Sequence, residues 1–244
     1  MNATGVVAAL TAEARTLDSA IRRRDRLTRI EDGTLVAVSG IGCAAAALAA
    51  RALVDAGAAS LVSWGMAGAL DPSLRAGAIC LPDEVISGDG ESFVTAHHWR
   101  ECLSAAVGAQ RPVVGGRLLT STHAIDTVAG KACAFRDTGA AAVDMESLAV
   151  AQIAATHALP FIAVRVIVDS AADVLPESVV AASRAGQVQF GRLIAGLVRS
   201  PVDIAALIRL AQRHRSATRS LAAVARSGAL SSGALAEAHG SRIA

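Results

Sequence analysis

The chain has 244 residues, 53% of them hydrophobic, 2% aromatic and 18% charged, with a formal net charge of +2. That length supports one large α/β domain whose core needs no disulfide or metal staple. The near-balanced charge gives no case for a nucleic-acid binder, and the lack of tyrosine argues against a base-stacking platform.

In chain order, residues 5–10 (GVVAAL) and 34–40 (TLVAVSG) read as strands. Residues 42–57 (GCAAAALAARALVDAG) read as a helix with a glycine stop, and 60–65 (SLVSWG) as the next strand. Residues 77–86 (GAICLPDEVI) and 111–120 (RPVVGGRLLT) follow, then AAAVDM ending at Met145, the helix ESLAVAQIAATHAL and the strand 160–169 (PFIAVRVIVD). A long helix is expected over about 177–199. Continuous apolar strands alternating with helices predict a single α/β domain, with a central, largely parallel mixed sheet flanked by helices. The domain is expected over residues 1–200, with a C-terminal helical tail over 201–244.

The four cysteines, Cys43, Cys80, Cys102 and Cys133, are scattered without a C-x-x-C pair, so they read as reduced, buried thiols and no metal is expected. The start, MNATGVVAAL, carries no basic region, and no run reaches the ~18 uninterrupted apolar residues of a membrane span. The expected location is the cytoplasm.

In open α/β sheets, ligands bind beyond the carboxyl ends of strands. Four such ends carry carboxylates or glycines here: Glu13 after the first strand, WGMAG (64–68), Asp144 with Glu146, and Asp169. A lone carboxylate at a strand end is usually a helix cap. Several at one sheet edge suggest a site. The glycine-rich WGMAG reads as a turn after its strand, with N–H groups available to an anion or a hydroxyl.

The combination of Glu13, SGIGCAAAA (39–47), WGMAGAL (64–70), VDMES (143–147) and VRVIVD (164–169), in this order along the chain, resembles the nucleoside phosphorylase and nucleosidase superfamily over about residues 5–200. Within it, GAAAVDMESLAVAQIA, LPFIAVRVIVDSAADVLPE and PVDIAALIRLAQRHRSA are most similar to the hopanoid-associated phosphorylases. Those proteins are linked to the loss of adenine from adenosylhopane on the way to ribosylhopane.

The resemblance implies a role for each site residue. Glu146 holds the ribose 2′- and 3′-hydroxyls, with Met145 against the sugar. Gly65, Met66 and Ala67 line the substrate. Asp169 is the acid near purine N7, and Glu13 activates the attacking water. Asp144 is left to orient the turn or cap the helix. The bacterial phosphorylases place an arginine and a serine around the glycine where this chain has Ser63 and Met66, so phosphate ligands are lost and hydrolysis is favoured over phosphorolysis. A methylthioadenosine or adenosylhomocysteine nucleosidase is the chief rival for substrate. The apolar Met66 suits a nucleoside with an apolar 5′ substituent. No cofactor is expected, and the family forms homo-oligomers. Trp99, Phe93, His97, His98 and His123 are open as base-stacking residues, and Arg15 and Arg51 as anion ligands.

The tail supports two readings. Ile204, Leu207, Ile208, Ala211 and Leu221 form an apolar stripe among arginines, which is either packed on the domain or laid on a membrane surface as a peripheral contact.

Overall fold

The computed structural model describes residues 3–22, 27–108, 111–174 and 201–230, the side chains of 201–210 excepted. The helix expected over 177–199 lies outside the described residues. The elements run β1 (Ala3–Ala8), α1 (Thr11–Ala14), β2 (Leu27–Arg29), β3 (Leu35–Val38), α2 (Cys43–Asp55) and β4 (Ala58–Ala69). Then come β5 (Ile79–Cys80), β6 (Glu84–Ser87), β7 (Ser92–Val94), α3 (His97–Gly108), β8 (Val113–Val114) and β9 (Arg117–Thr120). The chain continues with α4 (Val128–Thr138), β10 (Ala140–Asp144), α5 (Ser147–Thr156), β11 (Phe161–Asp169) and α6 (Pro201–Arg226).

The strands form one mixed sheet in the order β2-β3-β1-β4-β10-β9-β6-β7, with a branch from β4 through β11 and β5 to β8. Among the described residues six of its ten pairings are parallel and four antiparallel. Alternate residues of β11 serve two cores, as the two-residue repeat of a strand requires. Phe161, Ala163 and Ile167 pack with Ala46, Ala50 and Leu53 of α2 and with Val150 and Ala154 of α5. Ile162, Val164 and Val166 pack with Trp99 and Leu103 of α3 and with Ala217, Leu221 and Val224 of α6.

The second core decides part of the tail question. Leu221 is fully buried, so it is not on a free membrane-facing stripe. Burying such a leucine stabilises the fold by roughly 1.5–3 kcal/mol. Ser220 Oγ donates to Gly77 O at 2.7 Å, and Arg111 Nη1 donates to Ser220 Oγ at 2.9 Å, which fixes the helix to the sheet side.

Several boundaries differ from the sequence reading. The run 77–86 is two strands, β5 and β6, and 111–120 is likewise β8 and β9. In the second case Gly116 adopts φ +84°, which turns the chain between them. The largest difference is WGMAG. It continues β4 to Ala69 rather than forming a turn. Neither Gly65 nor Gly68 has a positive φ, so the glycines are not there for backbone freedom.

Candidate active site

β4 changes neighbours along its length. On one edge it pairs with β1 only as far as Trp64, opposite Ala8. On that edge β10 takes over antiparallel, with Val143 opposite Gly68. Residues Gly65–Ala67 therefore present an unpaired edge at the point where strand order reverses, the usual place for a ligand in such sheets. The opposite edge pairs with β11 from Leu61 to Gly68, past the gap.

Glu13 closes part of this gap. It sits on the single turn of α1 and is 5% exposed. Its Oε1 accepts from Met66 N at 2.9 Å, and its Oε2 from Leu10 N at 2.9 Å. The free β4 N–H thus meets a carboxylate. Burial raises the Glu13 pKa; Arg165 and the two backbone N–H groups oppose that rise.

Glu146 stands at the N-cap of α5, and its Oε1 accepts from Gly42 N at 2.9 Å. Gly42 caps α2 with φ +98°, a conformation that glycine adopts without strain. Burial and the nearby Asp144 push Glu146 up to about 7, against the pull of Arg165 and the Gly42 N–H. Between 4.5 and about 7 the folded chain keeps a proton that the unfolded chain has released. This group's contribution to stability therefore falls as pH rises through that window. Met145 is half-buried, and its carbonyl accepts from Cys43 Sγ at 3.3 Å.

Beneath these carboxylates lies Arg165, 1% exposed on β11. Its Nε donates to Asp144 Oδ2 at 2.8 Å, and its Nη2 lies 2.6 Å from the same oxygen. Nη2 also donates to Ser63 Oγ at 2.7 Å and Ser147 Oγ at 3.1 Å, and stands 3.9 Å from Glu146 Oε2. Asp144 further accepts from Thr120 Oγ1 at 2.7 Å and from Ser147 N at 3.0 Å. Asp144 therefore orients the turn and caps α5, and also anchors the arginine that lies between it and Glu146.

The glycines of β4 have a steric purpose. A Cβ on Gly65 would stand 2.5 Å from Arg165 Nη1 and 2.7 Å from Glu13 Oε1, and one on Gly68 would stand 3.2 Å from Asp169 Oδ2. Glycine leaves the space in which the charged groups gather over the strand. Gly65→Ala should thus push Glu13 and Arg165 apart, with a loss of about 1–3 kcal/mol, the usual cost of overpacking. A thermal denaturation curve checks this, and an unchanged Tm would contradict it.

Asp169 ends β11 and is 5% exposed. Burial raises its pKa, opposed by Lys131. The Lys131 ammonium, fully buried on α4, donates to Asp169 Oδ2 and also to Ser170 O at 2.9 Å and Asp173 O at 3.0 Å. Asp173 in turn accepts from Ser170 N and Oγ, both at 2.7 Å, and pairs with Arg213 of α6 at 2.6 Å. Asp169 thus has a charged partner, although its neighbour Val168 offers no polar side chain.

Glu13, Glu146, Asp169, Gly65, Met66 and Ala67 thus converge on one end of β4, with Met145 beside Glu146. Other sequence candidates lie elsewhere. Trp99 is fully buried in the core, and His97, His98 and His123 are exposed. Arg15 Nε donates to Ile21 O at 2.9 Å, and Arg51 lies exposed on α2. Sequence reasoning passed over Arg165 and Lys131. A signal for the second was present: Lys131 is the single lysine of the chain, beside 22 arginines. No cluster of three or more His, Cys, Asp or Glu suited to a metal occurs among the described residues.

The profile of the phosphorylase superfamily matches residues 5–199. No curated protein matches the chain. Among solved structures, a candidate methylthioadenosine nucleosidase from Weissella paramesenteroides is 25% identical, covering 75% of this chain and 94% of that one at a TM-score of 0.61. The 5′-methylthioadenosine/S-adenosylhomocysteine nucleosidase of Neisseria meningitidis, in complex with methylthio-immucillin-A, is 18% identical. It covers 93% of this chain and 98% of its own at a TM-score of 0.68. The Helicobacter pylori enzyme of the same name, with butyl-thio-DADMe-immucillin-A, is 14% identical, covering 93% and 96% at 0.68. At those two identities the likeness is one of fold.

Proposed function

The chain belongs to the phosphorylase superfamily, and we propose that it hydrolyses the N-glycosidic bond of an adenine nucleoside, with adenosylhopane as substrate and ribosylhopane as product. The observation that carries hydrolysis is the Glu13 carboxylate, fixed by Met66 N and Leu10 N at the open edge of β4. A fixed, buried carboxylate suits the removal of a proton from water. It repels a phosphate in the same place. Ser63, at a position where phosphorylases hold phosphate, is fully buried and accepts from Arg165 and Ser147. Arg165 is itself engaged by Asp144.

The remaining roles follow from the chemistry of the bond. As adenine leaves, the ribosyl ring gains positive charge. Glu146 accepts hydrogen bonds from the 2′- and 3′-hydroxyls and stabilises that charge. Asp169 supplies a proton or a hydrogen bond at purine N7, so that adenine leaves as a neutral base. Met66 and Met145, both half-buried, give the sugar an apolar flank.

The hopanoid reading is supported by the matching segments on both sides of residue 200. Analogues with methylthio and butylthio groups in the Neisseria and Helicobacter complexes are compatible with an apolar 5′ side. A peripheral membrane contact would not use Leu221, which is inside the core, whereas Arg215, Arg219 and Arg226 of α6 are exposed. No described helix is long and apolar enough to cross a membrane.

The test is a side-by-side incubation with adenosylhopane and methylthioadenosine. Adenine should be released from adenosylhopane with the higher kcat/KM. A higher value for methylthioadenosine would overturn the hopanoid assignment, and no adenine from either would overturn the activity.

A separate expectation concerns Glu146. Measured above the pH of about 7 at which Glu146 ionises, Glu146→Gln should cost about 3 kcal/mol of transition-state stabilisation, because a charged acceptor beside developing positive charge becomes neutral. The loss should be much larger for a riboside than for its 2′-deoxy counterpart. Equal losses on both would contradict contact with the hydroxyls.

A further inference from the structure

We infer that Lys131 is a positioning residue for Asp169, and that the two act as one proton-holding pair at the leaving group. The inference rests on the proposed role of Asp169 at purine N7. Three observations carry it. Lys131 is fully buried, on a helix whose ends are fixed. Thr127 caps the start of α4 by accepting from Gly130 N at 3.0 Å, and Gly139 closes its end in the left-handed conformation. The Lys131 amine donates to Asp169 Oδ2, Ser170 O and Asp173 O, the full donor capacity of an ammonium. Finally, the chain uses arginine at 22 of its 23 basic positions, so its one lysine stands at this buried carboxylate. A compact ammonium fits three convergent oxygens. A planar guanidinium fits a flat, two-oxygen partner.

The arrangement has a directional consequence. Oδ2 of Asp169 is tied to Lys131, which leaves Oδ1 for the base. The loop that carries the acid is closed on both sides, by Lys131 from α4 and by Arg213 from α6 through Asp173. The charged groups that face Asp169 are Lys131, Asp173 and Arg213. Lys131 opposes the rise that burial imposes on the Asp169 pKa. Without it the carboxyl titrates higher, as an unpaired buried acid does.

The test compares Lys131→Met, Lys131→Arg and Asp169→Asn, with adenine release from methylthioadenosine followed across pH. Lys131→Met should lower kcat by about 10- to 100-fold through misplacement of the acid. It should also move to higher pH the limb of the profile that Asp169→Asn removes. Lys131→Arg, which keeps the charge, should return that limb toward its original position. A folded Lys131→Met with unchanged kcat and unchanged limb overturns the inference. Should Lys131→Met not fold, the intact protein still decides. Labelled with ¹⁵N-lysine, it has one side-chain signal, expected as a slowly exchanging ammonium that shifts in Asp169→Asn. A rapidly exchanging signal that Asp169→Asn leaves in place overturns the inference as well. Wild-type turnover in Asp169→Asn would instead remove the function assigned to Asp169 itself.

Discussion

Asp169→Asn should lower the rate of adenine release by about 10²- to 10⁴-fold, the range contributed by a placed general acid. The carboxyl lies at the end of β11, 5% exposed, with one oxygen tied to Lys131 and its side chain over Gly68. Asparagine keeps the shape of the group. It has no acid proton to give, and it leaves the Lys131 ammonium beside two carbonyls without a counter-charge. Some loss of stability should accompany the loss of rate, since a buried charge is then unpaired. Rate and folding must therefore be measured on the same sample. The rate should fall in protein that remains folded by circular dichroism. A folded variant that releases adenine at the wild-type rate would contradict the assignment.

The second large effect is one of stability. Arg165→Met should destabilise the fold by about 3–5 kcal/mol, the cost of breaking a buried ion pair from one side. Arg165 lies 1% exposed against Asp144, which is 5% exposed, and within 3.9 Å of Glu146. Methionine fills much of the same volume. It offers nothing to Asp144 Oδ2, Ser63 Oγ or Ser147 Oγ. Asp144 then holds only Thr120 and the Ser147 N–H. Arg165 also pulls the Glu146 pKa down, so its loss should drive that carboxyl further toward the neutral acid and weaken its hold on charge. Urea unfolding measures the first effect through the midpoint and slope. A change below about 1 kcal/mol, the level of an exposed pair, would mean that Arg165 is solvated rather than locked.

The carboxylates were legible in the sequence and their counter-ions were not. Glu13, Glu146 and Asp169 each stand where an apolar run ends, and a charge at such a boundary stands out. Arg165 lies inside an apolar run, where one cation has no periodic partner and its counter-ions come from Asp144 and Glu146, about twenty residues earlier. Lys131 lies on α4, whose apolar residues make no clean stripe, so neither the helix nor its buried face could be read. Its role needs the loop after β11 to fold back onto it. The short edge strands β2 and β7 have three residues each and are exposed at both ends, too short to show a period.

WGMAG was misread for a different reason. Glycines after a strand normally announce a turn. Here Gly65 and Gly68 stay extended because the space above them is occupied by Glu13, Arg165 and Asp169. The pattern falls where charged side chains gather over the strand, and the backbone there is extended rather than turned.

The claim that Glu13 directs water, rather than phosphate, onto the ribosyl carbon is tested most directly by isotope. The reaction is run on adenosylhopane in H₂¹⁸O, with phosphate present, and the products are analysed by mass spectrometry. One ¹⁸O should enter the anomeric hydroxyl of ribosylhopane during turnover, with none in adenine and no sugar phosphate formed. The sugar is trapped by reduction as it forms, so that later exchange does not add label. A ribosyl 1-phosphate whose formation saturates with phosphate would contradict the account.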